Sequence, residues 1–261
     1  MASIARPSRR AALAALVAAV LTVGCGLSMF GKVYEYEEDV YLTLDGTADV
    51  IVNASVPALV NLRGIELDLD PAARLDPDRI RAAYSSPVTE VTRVSRPWRR
   101  QGRRFVQVRV RVSDVRKLHE SPPFSWSRYE LAEKDGLVVY RQTLGPSALR
   151  PGTMRNVGWT GGELVAVRLH LPSQIIWHNA RDIENNEPSE IARGNILAWE
   201  QQLTDRLDGR PVTIEVRMDR RSILYQTLWL FAAAFAAAVL LIGFLIWLTV
   251  RKGAKESEAA G

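Results

Sequence analysis

One cysteine and three histidines are all that this 261-residue chain offers for thiol or imidazole chemistry. The single thiol, Cys25, cannot close an intramolecular disulfide, and no multi-cysteine metal site can be assembled around it. No GxxxxGK[ST] or GxGxxG cradle for phosphates occurs, and no GxSxG supplies a serine elbow. Gly158-Trp159-Thr160-Gly161-Gly162 is glycine-rich, but it leads into an expected strand rather than a helix and reads as a turn. His119, His170 and His178 lack the spacing of a helical HExxH. His170 and His178 stand eight residues apart, followed by Asp182 and Glu184, so a His/carboxylate metal cluster can be imagined beside the plainer reading as strand and loop residues. The acidic run from Asp182 to Glu187 lacks the EF-hand spacing. The expectation is a chain with no cofactor, no metal and no catalytic residues, and not an enzyme.

What the chain has in abundance is an apolar run. Ile223 to Val250 holds no charged residue, and only Tyr225, Gln226, Thr227 and Thr249 interrupt it. A helix of that length reaches roughly 42 Å, more than a bilayer core requires. Trp229 and Trp247 sit near its two ends, where interfacial aromatics belong. Arginines lie before it and Arg251, Lys252 and Lys255 after it, so local charge does not orient the span. The other end of the chain does: Arg6, Arg9 and Arg10 precede an apolar stretch, Ala11–Val23, closed by Gly24-Cys25, the layout of a secretory leader. The expected organisation is a signal peptide over 1–25, an exported domain over 32–222, a transmembrane helix over 223–250 and a cytoplasmic tail over 251–261. A retained N-terminal helix as a second span is the alternative at the start.

About 190 residues remain between the hydrophobic ends, enough for one domain with a core. Alternation is clearest in Arg104–Val112, where Val106, Val108, Val110 and Val112 point one way and Gln107, Arg109 and Arg111 the other. Its partner is expected over Pro87–Arg96. Strands are also read over Val40–Leu44, Ala48–Ala54, Phe124–Ala132, Leu137–Thr143, Glu163–Leu171, Gln174–His178, Asn195–Leu203 and Pro211–Met218. Asp45-Gly46, Asp135-Gly136 and Asp208-Gly209 mark turns. Ser55 with Pro57, Asp76 with Pro77, and Ser113-Asp114 signal short helices. The fold class is therefore α+β: a predominantly antiparallel domain of meandering hairpins with short helices, followed by one transmembrane helix.

Two local patterns resemble known proteins. Thr22-Val23-Gly24-Cys25 is similar to the lipobox of bacterial lipoproteins, with Thr22 where leucine is usual. That likeness implies lipidation of Cys25. The Leu44-Asp45-Gly46 hairpin, Leu171-Pro172-Ser173, His178-Asn179, Gly194-Asn195 with Leu197 and Trp199, Gly209 and the strand before the span together resemble the LppM-type bacterial lipoproteins. The resemblance implies an exported α+β domain on the outer face of the cytoplasmic membrane that binds a lipid or glycolipid. It supplies no catalytic residues.

The excess charge, +5 overall, is uneven. From Val91 to Ser113 the chain carries eight arginines and no acidic residue. Guanidinium forks suit phosphate and carboxylate groups, so Arg96, Trp98, Arg99, Arg100, Arg103 and Arg104 are the candidate site for an anionic surface, against a solvated turn whose charges prevent edge aggregation. Because the body is expected to be exported, membrane lipids are the expected partners and nucleic acid is not. A scaffold docking another envelope protein is the second expectation, and a hydrolase with an unfamiliar motif the third.

Overall fold

A computed structural model of the chain describes residues 32–148 and 157–259. Apart from Val33 at the start of β1, the elements below lie within one compact unit, Tyr34–Gly261. The leader and Cys25 lie outside the described residues.

Local signals set most of the elements. β1 (Val33–Leu42) turns through Thr43–Thr47 into β2 (Ala48–Ser55), with Leu42 opposite Ala48. The Asp45 carboxylate accepts from the Thr47 amide at 2.9 Å and closes the turn. Ser55 then caps α1 (Val56–Arg63), its hydroxyl accepting from the Ala58 amide at 3.1 Å; such a cap contributes about 1 kcal/mol. Gly64 ends that helix in the left-handed region, φ 69°, where a side chain would be strained. Asp76 caps α2 (Pro77–Tyr84). β3 (Thr89–Val94), β4 (Trp98–Arg100) and β5 (Arg103–Val112) follow, then 3₁₀ turns at Val115–Glu120 and Pro122–Phe124. β6 (Ser127–Lys134) and β7 (Leu137–Leu144) meet across Asp135-Gly136, both at positive φ, as a tight hairpin requires. β8 (Glu163–His170), β9 (Ser173–His178), β10 (Ile196–Gln202), α3 (Leu203–Leu207), β11 (Val212–Ser222) and α4 (Ile223–Ala259) complete the chain.

The strands form two sheets. The first has the order β10-β8-β1-β2-β5-β3 with β4 also on β5; the second runs β6-β7-β11-β9. Every hairpin pair is antiparallel. Along β1 and β8 the contacts Glu37–Arg168 and Asp39–His170 advance together, the sense of a parallel pair. The fold is thus α+β and mostly antiparallel with short helices, as expected, but it is not one meander. β8 and β9 part into different sheets, and so do β10 and β11, across α3 rather than a hairpin at Asp208-Gly209. The separation lets Leu197 and Trp199 on one sheet and Ile214, Val216 and Met218 on the other bury in one core, which a continuous meander would leave open on one face.

β1 also starts earlier than Val40–Leu44 suggests. Tyr34-Glu35-Tyr36-Glu37-Glu38 is too acidic to read as a strand by composition. It is one because Arg103 and Arg63 neutralise Glu35 and Glu38 from distant parts of the chain. At the far end, β11 passes directly into α4. The Ile223 amide donates to the Pro172 carbonyl at 2.9 Å, tying the helix root to the end of β8. Among the described residues, Ile223–Thr249 is the one helix long and apolar enough to cross a membrane, with mean hydropathy 2.6. The helix itself continues beyond Val250, the expected end of the span, to Ala259.

Candidate functional site

β5 is ten residues long, about 30 Å of strand, and its two ends differ in chemistry. At its start lies the arginine hairpin, turning through Gln101-Gly102 at φ 49° and 75°. The hairpin does not present its candidate residues as one surface. Arg104 is buried, and its guanidinium donates to the Ala73 and Asp68 carbonyls, both at 2.5 Å. Arg103 donates to Glu35 at 2.8 Å and lies 3.7 Å from Glu163. The Trp159 indole N–H holds the other Glu35 oxygen at 3.0 Å. Burial pushes the Glu163 carboxyl up, but the Thr160 and Gly161 amides hold it below the usual carboxylate range. Arg103 and Arg104 are therefore corrected from surface contacts to internal braces.

Parity foretold the second of these. Arg104 shares the even-numbered face of Val106, Val108, Val110 and Val112, which is the buried one. Arg99 donates to the Pro71 carbonyl at 2.8 Å while remaining exposed. Arg96 is exposed, Trp98 is 40% exposed and stacks on Phe105, and Arg100 lies 5.8 Å over the same ring.

The other end of β5 borders a cleft of about 660 Å³. Leu42, Ala48, Val88, Val112, Leu171 and Pro172 supply its apolar lining. Its rim is polar: Arg111 lies 3.5 Å from Glu90 and 3.9 Å from Asp49, and the Tyr41 ring stacks on His170 with centroids 3.9 Å apart. His170 Nε2 is 3.1 Å from Asp39. The cleft gathers the ends of β1, β5 and β8 with the starts of β2 and β3. Pro172, which accepts from the first residue of α4, is part of its wall. An apolar floor under a ring of charges and hydroxyls matches an amphiphile. Sequence reading missed it because its walls come from five separate segments.

Between the sheets sits a second constellation that sequence reading missed. Arg63 donates to Glu38 at 3.1 Å, and both side chains are essentially without solvent contact. The guanidinium lies 3.9 Å over the Tyr36 ring and 3.6 Å over Trp126. The Tyr36 hydroxyl donates to Glu38 at 2.8 Å, and Tyr140 donates to Gln142 at 2.9 Å. Burial pushes the Tyr36, Tyr84, Tyr129 and Tyr140 phenols up, and the charge of Glu38 adds to the effect on each. Arg206, 1% exposed, faces Trp126 at 5.0 Å and donates only to the Arg210 carbonyl at 3.3 Å. Burial and then the neighbouring Arg63 bring its guanidinium down to about 10. Glu38 shares parity with Tyr36, Val40 and Leu42, the signal that places it inward.

The imagined metal cluster is not assembled. His170 lies in the first sheet beside Asp39, while His178 pairs in the second, opposite Val216. Asp182 caps its own loop by accepting from the Glu184 amide. Among the described residues no group of three or more histidine, cysteine or acidic side chains is placed to hold a metal ion.

No protein-family model matches the chain, and no curated protein does. The NMR structure of the folded domain of LppM from Mycobacterium tuberculosis is similar, at 11% identity and a TM-score of 0.37, over 75% of this chain and 95% of that one. A likeness at that score carries no argument about family or ligand.

Proposed function

We propose that this chain is a membrane-anchored, non-catalytic envelope protein whose exported domain takes a lipid-like ligand in the cleft at the root of α4. The observation that carries the reading is the position of that cleft. Its apolar lining includes Leu171 and Pro172, one of which is bonded to the first helical residue, so a lipid leaving the bilayer beside the anchor meets apolar walls at once. The leader over residues 1–25 supports export, and with export the domain stands on the extracytoplasmic side of the cytoplasmic membrane. The lipobox-like ending supports lipidation of Cys25, and the residue layout resembling LppM-type lipoproteins supports a lipid-like ligand.

The test is native mass spectrometry of the full chain released from neutral nanodiscs, with lipid extraction. Wild type is expected to retain lipid stoichiometrically, and Ser113→Trp, which fills the cleft from an exposed lining position, to retain none. A wild-type domain that emerges folded and empty sinks the reading. A docking scaffold is the second reading, favoured by the open edge of β9, where Ile176 and Trp177 are exposed. Crosslinking in native membranes to one reproducible partner through β9 would support it.

A further inference from the structure

The rim of the cleft carries its charges in a row. On neighbouring strands Tyr41 of β1 stands opposite Asp49 of β2, Asp49 opposite Arg111 of β5, and Arg111 opposite Glu90 of β3. Directly opposed residues project from the same sheet face, so the signs alternate negative, positive, negative across three strands, with an aromatic ring at one end. The Arg111 guanidinium lies 3.5 Å from Glu90 and 3.9 Å from Asp49. Among the described residues that line the cleft, these three are the charged ones. His170, the histidine of the lining, is engaged by the Tyr41 ring and by Asp39.

That balance excludes one class of amphiphile and suits another. Two carboxylates against one guanidinium leave the row net negative, and an anionic head group that reaches Arg111 also meets both acids. The side chains of Arg111, Asp49 and Glu90 are 64%, 68% and 71% exposed. Ion pairs so open to water are held by little energy, and a ligand can take over either partner at small cost. A phosphate beside Arg111 gains a two-pronged guanidinium fork, and an ammonium beside Asp49 or Glu90 gains a carboxylate. Tyr41, stacked on His170 yet 42% exposed, offers its ring to the same cation. The next row of the same strands, Leu42, Ala48 and Val112, is apolar and lines the cleft for the acyl part.

We infer that the head group recognised at this cleft is zwitterionic, a phosphate joined to an ammonium, and that anionic phospholipids are turned away. The inference deepens the proposed function and rests on the cleft being a lipid site. Lipid retention tests that reading and head-group preference tests this one, so the two fail separately.

The experiment uses the full chain in nanodiscs holding equal amounts of phosphatidylcholine and phosphatidylglycerol with the same acyl chains. Lipid retained on the released protein is counted by native mass spectrometry, and what Ser113→Trp retains is subtracted as lipid held around α4. Wild type should keep phosphatidylcholine over phosphatidylglycerol by about fivefold at low salt. The double variant Asp49→Asn, Glu90→Gln should keep its circular dichroism spectrum and its total retention yet lose the preference, because Arg111 is then free to take an anionic head. Arg111→Gln should lower the retention of phosphatidylcholine, and unchanged retention there would overturn the inference. An equal or reversed choice by wild type also overturns it while leaving a lipid site standing, as does a double variant that chooses as wild type does. Wild-type retention no greater than that of Ser113→Trp sinks both readings.

Discussion

Arginine is used in opposite ways in two regions of this molecule. Between the sheets, Arg63 and Arg206 are shut away from water, both within reach of the Trp126 indole. On the surface, Arg93 and Arg96 are exposed, and no carboxylate among the described residues lies within 4.0 Å of them. The difference shows what burial demands. A guanidinium that loses its water needs a counter-charge, and Arg63 has Glu38. Arg206 has none, and its depressed proton affinity records the cost. An exposed guanidinium carries no such requirement, so evolution is free to leave it unpaired and available.

The largest expected effect comes from breaking the buried pair. Glu38→Gln leaves the Arg63 charge stranded between the sheets and should cost about 3–5 kcal/mol, read from urea unfolding of the full chain in mild detergent. A loss below about 1 kcal/mol would show that Tyr36 and Trp126 alone suffice for Arg63. Arg104→Ala moves the comparison to the hairpin itself. It strands the Asp68 and Ala73 carbonyls and should cost about 2 kcal/mol.

Alkaline titration sharpens the contrast between the buried groups. The phenols of Tyr36, Tyr84, Tyr129 and Tyr140 hold their protons more tightly in the folded state than their ordinary value of 10.0. Their stabilising share is complete below that pH and is lost as pH rises past it, because the unfolded chain ionises first. Tyr140→Phe should make the alkaline fall shallower. Arg206 has the opposite sign: burial brings its folded-state proton affinity down to about 10, below its ordinary value, so it costs stability at neutral pH and that cost shrinks as pH rises past about 10. Arg206→Met should therefore be neutral or stabilising at pH 7 by thermal midpoint. A marked destabilisation would mean that its contact with Trp126 outweighs its unpaired charge. The smallest effect belongs to the exposed set. Replacing Arg93 and Arg96 together with glutamine should change stability by no more than about 0.5 kcal/mol, read from the same urea unfolding.

Much of this was legible because it is local. The Ser55 and Asp76 caps, the Asp135-Gly136 turn, the alternation of Val106 to Val112 and the apolar run from Ile223 each depend on residues within a few positions of one another. Parity pointed inward for Arg104, yet charge made it read as surface, and the acidic run around Glu38 hid the start of β1. Their partners explain why: Arg63 is 25 residues from Glu38, and the Asp68 carbonyl 36 from Arg104. The sequence by itself determined most of the strands, the caps and the helix suited to a membrane, since backbone periodicity and hydropathy need no tertiary knowledge. Only the tertiary structure decided that β1 lies beside β8, that Arg103 and Arg104 are braces while Arg93 and Arg96 stay exposed, and that the cleft and the hairpin stand at opposite ends of one sheet. Those outcomes depend on which distant segments share a core, and a charged side chain is buried or exposed according to the partner that packing brings to it.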